Sequence, residues 1–230
     1  PAGVTLILGD AFSGRVELMR ALATGIYNHI PGDGREMVIT VPDAVYIKAE
    51  AARGVQKVDL SPFIEPRGDV QDLHQFSSEC ADPFSGQAAS VLEMVEAGAR
   101  VLLLDEADSV AEFLACDARL RGVMSEAEKG LYPLADHVNQ LANELGVSLV
   151  IAGNAAVADL IPAADTIYRI ENFKISEVTK EAKKSVRSDD AAAKAERVIA
   201  ERARWVVPSS LDPARGADNA FFHAPETRRL

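Results

Sequence analysis

The sequence predicts an α/β sandwich built on a mostly parallel sheet, with a small antiparallel subsheet and a helical C-terminal extension. Two observations carry this expectation. Val4 to Leu8 and residues 101–104 are uninterrupted apolar runs, the pattern of strands covered on both faces. Strand-like and helix-like stretches also alternate along residues 1–170, the order of a layered α/β domain.

The elements follow in chain order. Val4 to Leu8 is the first strand, and a glycine-bearing loop follows at residues 9–14. Residues 17–27 then read as a helix with Leu18, Leu22 and Ile26 on one face. Pro31-Gly32-Asp33-Gly34 is a turn. Residues 38–40 and 45–49 read as strands and are expected to form the small antiparallel sheet. Residues 61–82, with Pro62, Pro66 and Gly68, read as irregular. Residues 85–97 are a helix with Ala88, Val91, Leu92 and Val95 as its apolar stripe, and the buried strand 101–104 comes after Gly98. A helix at 133–145, a buried strand at 148–152 and a last short strand at 166–170 complete the core.

The character of the chain changes after Glu171. Residues 177–204 are rich in Ala, Lys and Glu and helical by propensity. Val186, Ala193 and Val198 give them only a thin apolar stripe, so a surface position is expected. From Val206 onward the chain is polar and broken by Pro208, Pro213 and Pro225. The expected division is therefore a core at residues 1–175 and an extension at 176–230.

Composition narrows the function classes. The 230 residues include 48% apolar and 26% charged residues, and the net charge is −11. A domain this acidic is poorly suited to tracking a phosphate backbone over its whole surface. Cys80 and Cys116 are the only cysteines; they form no disulfide framework and fit an intracellular, reducing compartment. The four histidines, His29, His74, His137 and His223, have neither metal-ligand spacing nor cysteine partners, so structural or solvated roles are expected. No apolar run is long enough to span a membrane. The chain opens Pro1-Ala2-Gly3-Val4 without a methionine or basic leader and is read as a mature or partial chain.

Three segments carry chemistry. Gly9, Asp10, Ala11, Phe12, Ser13, Gly14, Arg15 and Val16 have the length and glycine placement of the phosphate-cradling loop G-x-x-x-x-G-K-[ST], and are the candidate nucleotide-binding residues. Arg15 stands at the lysine position and keeps its charge, with a planar fork in place of a point charge. Val16 stands at the hydroxyl position, where it cannot coordinate Mg²⁺. Val101-Leu102-Leu103-Leu104-Asp105-Glu106 is an apolar strand ending in two carboxylates at the edge where parallel sheets bind ligands. Asp105 is the candidate Mg²⁺ ligand. Glu106 is the candidate catalytic residue that would orient water, vestigial if hydrolysis is lost. Ser85, Gly86 and Gln87 open a helix and form a signature-like segment; an ordinary N-cap by Asp82 or Ser85 accounts for the same residues.

In this order the segments resemble the predicted ATPases of the ABC class, from about Val4 to Thr179. Gly25-Ile26-Tyr27-Asn28-His29-Ile30-Pro31-Gly32-Asp33-Gly34-Arg35-Glu36 is close to that family's own wording, as are Val58-Asp59-Leu60-Ser61-Pro62-Phe63-Ile64, Phe76-Ser77-Ser78-Glu79 and Glu144-Leu145-Gly146-Val147-Ser148. The resemblance implies a P-loop NTPase (ABC-ATPase-like) sandwich, ATP or ADP as ligand with Mg²⁺, and work within a larger protein assembly. It also implies a further domain before the P-loop core, outside this chain. Ser209-Ser210-Leu211-Asp212-Pro213-Ala214-Arg215-Gly216 looks like the start of a C-terminal one. One relative is an RNA-editing accessory protein of mitochondria, which brings RNA, through domains outside this chain, and a mitochondrial location into view by analogy.

The chain departs from the family where the chemistry lies. The family loop resembles G-G-x-x-H-G-K-S-T-L, but Arg15, Val16 and Glu17 occupy the K-S-T positions. Asp82 and Pro83 stand where the family signature opens with Ser-Gly, and Ala152-Gly153-Asn154-Ala155 stands for its Gly-Gly-Ser-Gly switch. Fold-determining stretches persist while catalytic ones drift. The expectation is a degenerate, non-hydrolysing ABC-like domain acting as a structural or binding module. A weakly active ATPase and an RNA-processing accessory factor are the alternatives.

Overall fold

The computed structural model describes residues 2–66, 72–116, 130–185, 198–200, 205–206 and 228–229. Two compact units make up the chain, Pro1–Ile199 and Ala200–Leu230.

In the first unit the elements in chain order are β1 (Val4–Leu8), α1 (Arg15–Thr24), β2 (Ala44–Ile47), β3 (Arg53–Val58), β4 (Phe76–Ala81), α2 (Pro83–Glu96), β5 (Val101–Asp105), α3 (Ala111–Leu114), α4 (Leu134–Asn143), β6 (Ser148–Gly153), β7 (Thr166–Glu171), β8 (Lys174–Glu177) and α5 (Thr179–Ser185). The main sheet has the order β2-β5-β6-β1-β7-β8. Its first five strands run parallel, and β8 returns antiparallel to β7. Both β1 and β5 are interior strands, as their unbroken apolar runs predict.

Strand alternation sends side chains to two cores. Val4, Leu6, Leu102, Leu104, Leu149 and Ile151 enter the large core with Ala88 and Val91 of α2 and Leu134, Val138 and Leu141 of α4. Ile7, Leu103 and Ala152 face the other way, onto Met19 of α1, with Leu18 and Leu22 packed alongside. Each fully buried aliphatic side chain contributes about 2 kcal/mol. The fold thus rests on packing that needs no nucleotide.

Four strand expectations are corrected. Residues 38–40 are not a strand. Residues 44–47 join the parallel sheet as its edge strand β2, pairing with β5 in the register Ala44↔Val101 to Ile47↔Leu104. The small antiparallel sheet is instead β3 with β4, so the stretch read as irregular contains a strand at Phe76–Ala81. The strand expected as the last, at residues 166–170, is β7, and it is followed by an antiparallel partner, β8, whose four side chains are all exposed.

Of the stretch expected as surface helix, Thr179–Ser185 is helical with no buried residue, and Val198 is exposed whereas Ile199 is buried. Val186 and Ala193 lie outside the described residues. In the second unit, β9 (Trp205–Val206) pairs antiparallel with β10 (Arg228–Arg229).

Candidate functional site

The parallel strands β1, β5 and β6 end side by side, with Leu8 opposite Gly153 and Asp105 opposite Ala152. This shared edge gathers the loop after β1, the carboxylates ending β5 and the switch after β6. Proximity follows from register alone.

The loop turns through two left-handed residues, Phe12 (φ 63°) and Gly14 (φ 99°). Gly14 is the N-cap of α1 and makes no side-chain cap. Gly9, Ser13, Gly14 and Arg15 are buried, Asp10, Ala11 and Phe12 are exposed, and Val16 is half-buried. The turn between β7 and β8 lies on this loop. Asn172 and Phe173 are both left-handed, the geometry of a two-residue hairpin turn. The Phe173 N–H donates to Ser13 O at 2.9 Å. A Cβ on Gly14 would stand 2.6 Å from the Phe173 ring, which explains glycine there a second time.

Arg15 does not reach outward. Its residue is 8% exposed. Nη1 donates to Gly9 O at 3.1 Å, Nη2 lies 3.3 Å from Asp105 Oδ1, and Nη1 lies 3.6 Å from Glu106 Oε2. Asp105 Oδ1 also accepts the Ala107 N–H at 2.8 Å. Glu106 Oε2 accepts the backbone N–H of Asn154, and Asn154 Nδ2 donates to Asp10 Oδ1 at 2.5 Å. Loop, strand end and switch are therefore tied in one chain of polar contacts: Gly9, Arg15, Glu106, Asn154 and Asp10. Gly153 is required beside it, because a Cβ there would meet Glu106 Oε2 at 2.8 Å and Val157 Cγ1 at 2.5 Å.

The electrostatics follow from this geometry. Burial pushes the Asp105 carboxyl above its usual range, against the Ala107 N–H and the Arg15 charge, which both lower it. One guanidinium faces two carboxylates, so the site holds surplus negative charge before any phosphate arrives. At an effective dielectric of about 20, a like charge at about 4 Å costs roughly 4 kcal/mol. Farther out, the Tyr46 hydroxyl donates to Asp108 Oδ2 at 2.8 Å; burial first, and that bond second, raise its pKa.

The loop runs from β1 into α1 as a phosphate-binding loop does, and a Mg²⁺ ion bound beside it would be held by oxygens other than that of residue 16. Val16 has no side-chain oxygen and Asp105 Oδ1 serves Arg15 and Ala107, while Asp105 Oδ2 and Ser13 Oγ are buried without a hydrogen-bond partner. Among the described residues no three His, Cys, Asp or Glu side chains converge as a metal site.

The signature-like residues lie elsewhere. Ser85, Gly86 and Gln87 are buried in the first turns of α2. Asp82 is the N-cap: its carboxylate accepts the Ser85 N–H at 3.0 Å, with Pro83 following at the first helical position. The Gln87 amide donates to Ser109 Oγ and accepts the Val110 N–H, both at 2.9 Å. It thus fastens α2 to the segment following Asp105 and Glu106. Of the histidines, His29 Nδ1 pairs with Asp33 at 3.0 Å and His74 Nδ1 with Asp59 at 3.2 Å, while His137 is wholly buried.

The ABC ATPase P-loop domain model matches residues 1–204. The chain belongs to the ABC ATPase P-loop domain family. Among curated relatives, an uncharacterised protein of Methanocaldococcus jannaschii is 24% identical over 176 residues; the match covers 74% of this chain and 37% of that protein. The chain thus spans little more than a third of that relative. Among solved structures it is similar to cbiO1 from Clostridium perfringens, part of the cbiONQ ABC transporter complex, with 15% identity, 80% of each chain covered and a TM-score of 0.42. It is also similar to a metal-chelate type ABC transporter in an inward-facing conformation, with 12% identity, 82% of this chain and 75% of that one covered and a TM-score of 0.49. Among the described residues of this ABC ATPase domain, no helix is long and apolar enough to cross a membrane.

Two site residues were not singled out by sequence reasoning. Asn154 was visible only as a departure from the family switch. Phe173 follows an asparagine, which tolerates left-handed backbone and was the available sign of a turn.

Proposed function

We propose that this chain is a degenerate, non-hydrolysing ABC ATPase domain that serves as a structural or binding module in a larger assembly. One observation carries the proposal: Arg15, the loop's own cation, is folded back onto Gly9 O, Asp105 and Glu106. A working loop directs that charge at the terminal phosphates. Here the phosphates would have to displace two carboxylates, with no hydroxyl at residue 16 to recruit Mg²⁺.

A protein partner is favoured by the segment between α1 and β2. Ile26, Tyr27, Ile30, Met37, Ile39 and Val41 are all exposed large apolar side chains, the kind of surface that marks interaction sites. RNA, if it is engaged, is expected to contact domains outside this acidic chain. An intracellular, reducing compartment, mitochondrial by family analogy, suits two cysteines that are not joined in a disulfide. A weakly active ATPase is the second reading, favoured by Asp105 and Glu106 persisting at the end of β5.

The test is ATP binding measured by calorimetry in Mg²⁺ and again in chelator. The two affinities should be weak and agree within about tenfold, or about 1.4 kcal/mol. A larger gain from Mg²⁺ would show that the metal site is intact and would favour the second reading.

A further inference from the structure

Helix α4 carries a buried amide that the P-loop site does not use. Gln140 is 8% exposed, and both of its polar atoms meet a single residue far along the chain. Nε2 donates to Ile199 O at 3.1 Å, and Oε1 accepts the Ile199 N–H at 2.9 Å. A side-chain amide thus supplies the donor and acceptor that a neighbouring strand would supply. The Ile199 side chain is 5% exposed and joins the core containing Leu134, Val138 and Leu141, while Val198 is 64% exposed.

One side chain inserted, its neighbour left in solvent and the main chain paired on both groups is how an extended peptide is recognised. The pairing is also obligatory from the side of the helix. A buried amide without partners is strongly disfavoured, so Gln140 sits where it does only because a main chain lies opposite it. The recognition separates into two parts. The amide reads backbone and is indifferent to sequence, and the apolar hole selects a branched aliphatic side chain.

We infer that Gln140 and the hole filled by Ile199 form a peptide socket on α4 for an extended segment bearing a branched aliphatic residue, occupied in cis by residues 198–199. The tether holds this occupant at high effective concentration, so it excludes weak competitors in trans. The inference is independent of whether the nucleotide site is active.

Hydrogen exchange on the full chain tests it. The Ile199 amide should be protected, and should exchange about tenfold faster in Gln140→Leu, with the β5 and β6 amides unchanged as a check on folding. In a second arm, the full chain carrying Ile199→Asp has its socket emptied. It is titrated with a capped synthetic peptide of residues 196–201 and with the same peptide carrying Asp at its Ile199 position. Saturable binding of the first and none of the second is expected. Equal Ile199 exchange in the Gln140→Leu and unmodified chains would overturn the proposal. So would equal behaviour of the two peptides, including failure of both to bind. Should Gln140→Leu lose protection throughout β5 and β6, the peptide arm decides.

Discussion

Two helices of this domain begin in opposite ways. Helix α1 starts at Gly14, left-handed and without a side-chain cap; α2 starts at Asp82, whose carboxylate takes the Ser85 N–H. Helix N-termini attract anions because their first N–H groups lack partners. The start of α1 keeps that backbone character, yet the cation beside it is neutralised by Asp105 and Glu106. The start of α2 is closed by a carboxylate of its own, which would repel an approaching anion. The two starts are therefore made less inviting to an anion in different ways, by internal pairing at one and by capping at the other.

The largest expected effect breaks the pairing at α1. Arg15→Ala leaves Asp105, 1% exposed, buried without its cation, and should lower stability by about 3 kcal/mol in urea denaturation. A loss below about 1 kcal/mol would mean that the contacts around Arg15 are incidental.

The next effect is remote from both starts and calibrates them. Burial holds the His137 pKa at about 4 in the folded chain, from an ordinary 6.5, with the bond between Nε2 and Pro62 O opposing. The unfolded chain therefore binds a proton first as pH falls, so stability is full above 6.5 and is lost as pH drops toward 4. The slope is about 1.4 kcal/mol per pH unit, or roughly 2 kcal/mol between pH 7 and 5. Asp105 has the opposite sign, since its raised pKa adds stability that is lost as pH rises through it. Urea midpoints at the two pH values should separate, and His137→Gln should remove the histidine share. An unchanged pH dependence in that variant would contradict the burial argument.

The smallest effect sharpens the description of α2. Asp82→Ala removes a helix cap and should cost about 1 kcal/mol, measured by the same denaturation. Nucleotide affinity should not fall, because Asp82 has no favourable part in holding phosphate.

Much of the fold was legible because burial on two faces writes itself as unbroken apolar sequence, as at Val4–Leu8 and Val101 to Leu104. Strands lacking that signature were read less well. All of β8 is exposed, and β3 alternates irregularly (buried positions Val55 and Val58), so neither rises above the loop background. The pairing of β2 was misjudged because a short apolar run does not declare its partner. At the site, the motif residues were identifiable by spacing. The contact between Asn154 and Asp10 spans 144 positions and arises only when β1 and β6 pair. Nor does local sequence reveal that Arg15 turns inward; that depends on Asp105 and Glu106 arriving on β5.

Phosphate release from Mg²⁺-ATP by the purified full chain, set beside its Glu106→Gln variant, tests the central claim most directly. Glu106 is the residue left that could orient water, so any genuine turnover should depend on it. The account predicts that both chains stay at the buffer background. Turnover well above background that disappears in Glu106→Gln would contradict it.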